Sequence, residues 1–144
     1  MTPHHSVEKI GGTSMSRYDD VLQNIWLRPK KLADGHETLY QRVFVVSAYA
    51  GITNGLLEHK KTDEPGVYAL FAEMDDKRAW QAKLQRVLTD MLAINRSMFS
   101  ADSLEKKRAD QFISERMHDV QVCLEHLEQV CNFGHFQLDD HLHR

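Results

Sequence analysis

Two kinds of apolar patterning divide the chain. Between residues 67 and 133 apolar side chains recur at helical spacing with neither glycine nor proline among them, and the absence of both punctuators predicts long helices. Trp80, Leu84, Val87, Leu88, Met91, Leu92 and Met98 share one helical face. Phe112, Ile113, Met117, Val120, Cys123, Leu124, Leu127, Val130 and Cys131 form the stripe of a second helix. Asp102 followed by Glu105 predicts a capping box at its start, and Gly134 its end. Two amphipathic helices joined by a short turn make a long antiparallel hairpin, and Leu138 onward begins another helix.

The front of the chain is punctuated differently. All 3 prolines and all but one of the 7 glycines lie within the first 66 residues. Val7 to Ile10 predicts a short strand ending at Gly11-Gly12. Thr13 or Ser14 can then cap a helix over Ser16 to Leu27, before Pro29. Val43 to Val46 is a compact β-branched run of the kind buried on both faces of a parallel sheet. Ser47 to Asn54 reads as a loop, and Gly55 opens a short helix. Strand, glycine turn, helix, strand, glycine turn, helix is the opening of a parallel α/β sheet. Two strands are too few for such a sheet. Either Val67 to Phe71 hides another, or the rest lies outside this chain, and 144 residues then read as a truncation boundary.

Composition narrows the partners. Eighteen Lys and Arg against 21 Asp and Glu give a net charge of −3, which removes the basic footprint of a nucleic-acid binder. The longest uncharged stretch, Val43 to Leu57, holds Ser, Thr, Asn and Gly and is shorter than the ~20 apolar residues that span a bilayer. With 2 cysteines and no apolar leader, a cytoplasmic chain is expected, with neither membrane nor nucleic acid as partner.

Chemistry concentrates in two loops. In Lys9-Ile10-Gly11-Gly12-Thr13-Ser14 a lysine ends a strand, and two glycines and two hydroxyls open a helix. That is a phosphate-binding design, in which backbone N–H groups approach the anion and lysine adds a full charge. It is neither a Walker nor a GxGxxG pattern; the plainer alternative is a strand-to-helix turn with an exposed lysine. The second loop, Ser47-Ala48-Tyr49-Ala50-Gly51-Ile52-Thr53-Asn54, follows the other strand, and ligands of open α/β sheets bind outside the carboxyl ends of strands.

KIGGTS followed by VVSAYAGITN resembles the N-terminal region of the aspartate kinases, members of the amino acid kinase family, which usually read KFGGTS and VVSA-x-x-G-x-T-[ND]. HKKTDEPGVYALF (residues 59–71) further resembles the ectoine-associated type. The resemblance is sharp over residues 7–71 and diffuse over 72–144. It implies the N-terminal portion of the amino acid kinase fold: one partial catalytic domain over 1–144, with a glycine-loop segment (1–71) and a helical segment (72–144).

The implied reaction moves the ATP γ-phosphoryl to the side-chain carboxylate of L-aspartate, with Mg2+ held through the phosphates and no protein metal ligand. Lys9 would be catalytic and bind nucleotide together with Gly11, Gly12, Thr13 and Ser14; Ser47, Ala48 and Thr53 would contact aspartate. Ile10 departs from the usual Phe, and Tyr49 stands where a small residue or Met is usual. The family's later Gly-Glu motif and nucleotide-binding half have no counterpart here, so the chain alone is expected to be inactive, and a homodimer could cover its exposed sheet edge. The alternatives are a non-catalytic helical binding module and an amino acid kinase acting on another carboxylate.

Two weaker signals are set aside. Cys123/His126 and Cys131/His135, with His141 and His143 nearby, have zinc-like spacing, yet both cysteines sit on an apolar stripe, where they act as small hydrophobes. Glu8 beside Lys9 could steer it by pairing, but alternate strand residues face opposite ways.

Overall fold

A computed structural model describes residues 5–32, 34–73 and 77–133. The chain is mixed helix and strand and clusters into two compact units, Met1–Gly51 and Ile52–Arg144. The first contains β1 (Ser6–Ile10), α1 (Gly12–Met15), α2 (Tyr18–Val21) with a π-helical turn at Leu22–Trp26, β2 (Lys30–Lys31), β3 (Glu37–Thr38) and β4 (Arg42–Val46). β1 and β4 are parallel neighbours, paired from Ser6 opposite Arg42 to Ile10 opposite Val46. β2 and β3 form a small antiparallel ribbon that the apolar pattern does not announce.

The helix expected over Ser16 to Leu27 begins earlier, at Gly12, and breaks at Ser16-Arg17. Gly11, not Thr13 or Ser14, is the N-cap and makes no side-chain cap bond. The turn out of β1 is so short that both hydroxyl residues fall inside the first helical turn, past the capping position.

The two faces of the parallel pair differ sharply. Glu8, Ile10, Arg42 and Phe44 face the helical connection; Ile10 is buried, and the Phe44 ring meets Trp26 edge-on with centroids 6.3 Å apart. On the other face Val7, Val43 and Val45 are 69%, 47% and 49% exposed. The expectation that Val43 to Val46 is buried on both sides is therefore corrected: the helical connection packs on one face only.

The second unit contains α3 (Ile52–Leu56), α4 (Val67–Glu73), α5 (Lys77–Met98) and α6 (Leu104–Phe133). Val67 to Phe71 is helix rather than a hidden strand. Val67 and Phe71 stand four residues apart and are both buried, and the Phe71 ring packs edge-on against Trp80, an i, i+4 pattern that only a helix places on one side. The second glycine-loop helix starts at Ile52 instead of Gly55. Gly55 lies inside it, where the lack of a side chain admits α5: a Cβ there would come 2.9 Å from Val87 Cγ2.

α5 and α6 run antiparallel. Asn95 near the end of one meets Asp110 near the start of the other, while Gln81 and Leu84 share a cleft with Met117 and Gln121. Trp80, Leu84, Val87, Ile113 and Met117 are buried in this unit. Asn95, fully buried, donates from Nδ2 to Asp110 Oδ1 at 2.8 Å, and Lys106 pairs with the other carboxylate oxygen.

The cap of α6 is Ser103, whose Oγ accepts the Lys106 N–H at 3.1 Å. The expected Asp102–Glu105 box is thus one residue out of place, with Lys106 at the position where a box needs Glu or Gln. The expected stripe also divides: Ile113 and Met117 are buried, whereas Phe112, Val120, Leu127 and Val130 are exposed. α6 has 30 residues against 22 in α5, an excess of about 12 Å at ~1.5 Å per residue. Gly134, His135, His141, His143 and the helix expected from Leu138 lie outside the described residues.

Candidate functional site

Parallel pairing delivers the two glycine loops to the same end of the sheet. β1 ends at buried Ile10, whose carbonyl accepts the Ser47 N–H at 3.0 Å just past the end of β4. Both chains therefore leave the sheet at the same level. Gly11 is extended at φ −77° and ψ 165°, and the helix starts at once with Met15 N–H donating to the Gly11 carbonyl at 2.9 Å. The N–H groups of Gly12, Thr13 and Ser14 are left without intrahelical acceptors.

Gly12 is where the loops meet. A Cβ at this position would lie 3.1 Å from the Ala48 carbonyl oxygen and 3.6 Å from Ala50 Cα, so the absence of a side chain is what lets the two backbones approach. A Cβ at Gly11 would lie 3.5 Å from Lys9 Nζ, placing the ammonium over the glycine turn. Thr13, Ser14, Ser47 and Ala48 are exposed. Gly51 takes φ +85°, the left-handed conformation that glycine adopts without strain.

Seven of the eight expected site residues thus gather at the carboxyl ends of β1 and β4: Lys9, Gly11, Gly12, Thr13, Ser14, Ser47 and Ala48. Thr53 is exposed in the first turn of α3 and belongs to the second compact unit.

Beneath the sheet lies a pair that the sequence reading missed. Arg42 Nε donates to Glu8 Oε1 at 2.8 Å and Nη2 to Glu8 Oε2 at 2.6 Å. The same guanidinium donates to the Ile25 carbonyl at 2.8 Å and the Arg28 carbonyl at 2.9 Å, and lies 4.7 Å from the Phe44 ring centroid. The hydrogen-bonded guanidinium holds the Glu8 carboxyl below its usual range, and the carboxylate raises Arg42 in turn. Glu8 therefore pairs with Arg42 rather than with Lys9, and strand alternation sends Lys9 to the opposite face. The signal was present as one acidic and one basic residue in two strands, but only the register puts them together.

The arrangement can bind an anion. It offers one ammonium, a glycine turn with outward N–H groups and several hydroxyls, and residues 9–14 and 47–54 contain no Asp or Glu. That chemistry fits a polyphosphate. Among the described residues no three His, Cys, Asp or Glu side chains cluster closely enough to hold a metal ion. No described helix is long and apolar enough to cross a membrane.

Comparison with known proteins gives a match over nearly the whole chain. Across 138 residues, 96% of this chain, it is 51% identical to "Aspartate kinase Ask_Ect" of Stutzerimonas stutzeri (strain A1501). The chain is homologous to part of an aspartate kinase. The resemblance carried by KIGGTS and VVSAYAGITN is borne out, as is its ectoine-associated form. The match leaves 6 of the 144 residues outside (144 − 138), so both loops lie within the stretch shared with aspartate kinase. The chain spans 28% of that aspartate kinase's length. No protein-family model matches the chain, and no solved structure does.

Proposed function

We propose that this chain carries the phosphate end of an aspartate kinase active site, within the N-terminal part of an amino acid kinase fold. The observation that supports it most is the meeting of the two loops at Gly12, with Lys9 over the adjacent turn, in a chain 51% identical to an aspartate kinase. The reaction is ATP-dependent phosphorylation of the L-aspartate side-chain carboxylate to 4-phospho-L-aspartate, at the entry to aspartate-family and ectoine biosynthesis in the cytoplasm.

In this reading Lys9 neutralises charge that builds on the transferring phosphoryl group. The N–H groups of Gly11 and Gly12 and the hydroxyls of Thr13 and Ser14 hold the nucleotide phosphates. Magnesium would be held by the phosphates rather than by a side chain of this chain, and would supply further charge neutralisation. Ser47 donates a hydrogen bond to aspartate, and Ala48 contributes backbone. Little covalent chemistry is asked of the protein, because phosphoryl transfer rests on positioning and electrostatic stabilisation. The chain alone is inactive, in keeping with the 28% of its relative that it spans.

Calorimetric titration with MgATP tests the phosphate end. Lys9→Ala is expected to weaken binding about tenfold, the loss of a charge-assisted contact worth about 1.5 kcal/mol. Unchanged affinity would overturn the role of Lys9. Turnover by the purified chain in an aspartate hydroxamate assay would contradict its inactivity.

A further inference from the structure

Toward the amino end of the parallel strand pair, on the face away from Lys9, lies an open-sided cleft of about 290 Å³ bordered by Glu8, Ile25, Arg28, Pro29, Lys30 and Arg42. Its charge is unbalanced, because three cations against one carboxylate leave +2 (3 − 1). Glu8 is already engaged: its Oε1 accepts from Arg42 Nε and from Ser6 Oγ, and its Oε2 from Arg42 Nη2. Arg42 has a donor to spare. A guanidinium carries five N–H groups, and four are committed, one from Nε, two from Nη2 and one from Nη1. The second Nη1 N–H has no acceptor among the described residues, on a side chain that is almost wholly buried.

We propose that this cleft binds a tetrahedral oxyanion, a phosphate or sulfate group, between the spare Arg42 N–H and the exposed Arg28 and Lys30 side chains. The local chain sets those two cations at its rim. They flank Pro29, whose ring fixes φ between them. The register of β2 and β3 puts Lys31 opposite Glu37 and Lys30 opposite Thr38, so Lys31 has a cross-strand carboxylate and Lys30 a neutral neighbour. Strand alternation sends the two lysines to opposite faces, and Lys30 is the one that borders the cleft. Its charge reaches the clamp: the Glu8 carboxyl, held low first by the hydrogen bonds from Arg42, is lowered further by Lys30. Neither Arg28 nor Lys30 has a side-chain hydrogen bond or ion pair with a described residue. Donors arriving from three residues suit an anion with more than the two oxygens of a carboxylate, and an excess of two positive charges suits a dianion. Arg42 opens β4 and Val46 ends it, about 13 Å apart at ~3.3 Å per residue. The cleft is therefore separate from the glycine loops and does not rest on the nucleotide reading.

Amide NMR of the full chain titrated with sodium sulfate tests the site, with sodium chloride at equal ionic strength as the measure of simple screening. Saturable shifts are expected at the Arg28, Lys30 and Arg42 amides, and inorganic phosphate should compete for them. Lys30→Ala and Arg28→Ala, both at exposed positions, are each expected to weaken sulfate binding about tenfold. Lys31→Ala should leave it unchanged. Lys9→Ala should also leave it unchanged while weakening MgATP, which separates failure of this site from failure of the nucleotide site. An anion held by Arg42 also ties β1 and β4 to the helical connection. At ten times its Kd, sulfate should therefore make opening of those strands about elevenfold rarer in hydrogen exchange. Shifts that do not saturate, shifts confined to Gly11–Ser14, or weakening by Lys31→Ala equal to that of Lys30→Ala would overturn the proposal.

Discussion

Removing Arg42 should loosen the strand pair that presents Lys9. The Arg42 side chain is 5% exposed and joins β1, β4 and the helical connection through four hydrogen bonds, two to Glu8 and one each to Ile25 and Arg28. Arg42→Ala leaves the Glu8 carboxylate and two carbonyls without this donor. Breaking a buried ion pair by removing one partner costs about 3–5 kcal/mol. Glu8 retains 27% exposure and can regain some water, which places the expected loss at the lower end, about 3 kcal/mol. Hydrogen exchange read by mass spectrometry is the appropriate assay, because it reports on β1 and β4 peptides separately from the helices of the second unit. Opening of those strands should become about 100-fold more frequent. Glu8→Gln should give a smaller loss, since an amide still accepts from the guanidinium. Strand protection unchanged in Arg42→Ala would refute the clamp and the reasoning built on its geometry.

The same pair has a pH signature: Glu8 is held below its usual range, so its contribution is full above the unfolded value of about 4.3 and is lost as pH falls through the lower folded value. Arg42→Ala should flatten that part of an acid-stability curve followed by β1 and β4 exchange. Asn95→Ala should cost about 2 kcal/mol in thermal or urea unfolding followed at the helical band, because it removes a fully buried hydrogen bond to Asp110 and leaves a small cavity. Gly55→Ala should destabilise by about 1–3 kcal/mol through the 2.9 Å approach to Val87, and Val87→Ala in the same chain should recover part of it in a double-mutant cycle.

The features written locally in the sequence were legible. β1 and β4 follow from their β-branched runs, α5 and α6 from a stretch free of glycine and proline, and the juxtaposed loops from parallel strand order. Features that depend on register or on neighbours were not. Glu8 and Arg42 are 34 residues apart, and nothing within either strand names its partner. Val67 to Phe71 is too short an apolar run for periodicity to separate strand from helix; burial against Trp80 settles it. Val43 and Val45 have the composition of a doubly covered strand, yet both are about half exposed, and the helical connection packs on the other face. The hydroxyls of Thr13 and Ser14 look like caps until the abruptness of the Gly11 turn places them within the helix. The same abruptness leaves their amides without intrahelical acceptors, in the turn whose Gly11 lies under Lys9, so the misplaced caps belong to the candidate site itself.

The central claim, that the Gly11–Ser14 turn holds the nucleotide phosphates against the Ala48 backbone it touches at Gly12, is tested most directly by amide NMR of the chain titrated with MgATP. The account predicts saturable shifts at Gly11, Gly12, Thr13, Ser14 and Ala48, absent from α5 and α6 and reduced about tenfold in apparent affinity by Lys9→Ala. Shifts confined to the helices, or no shift at these amides with nucleotide at millimolar excess, would contradict it.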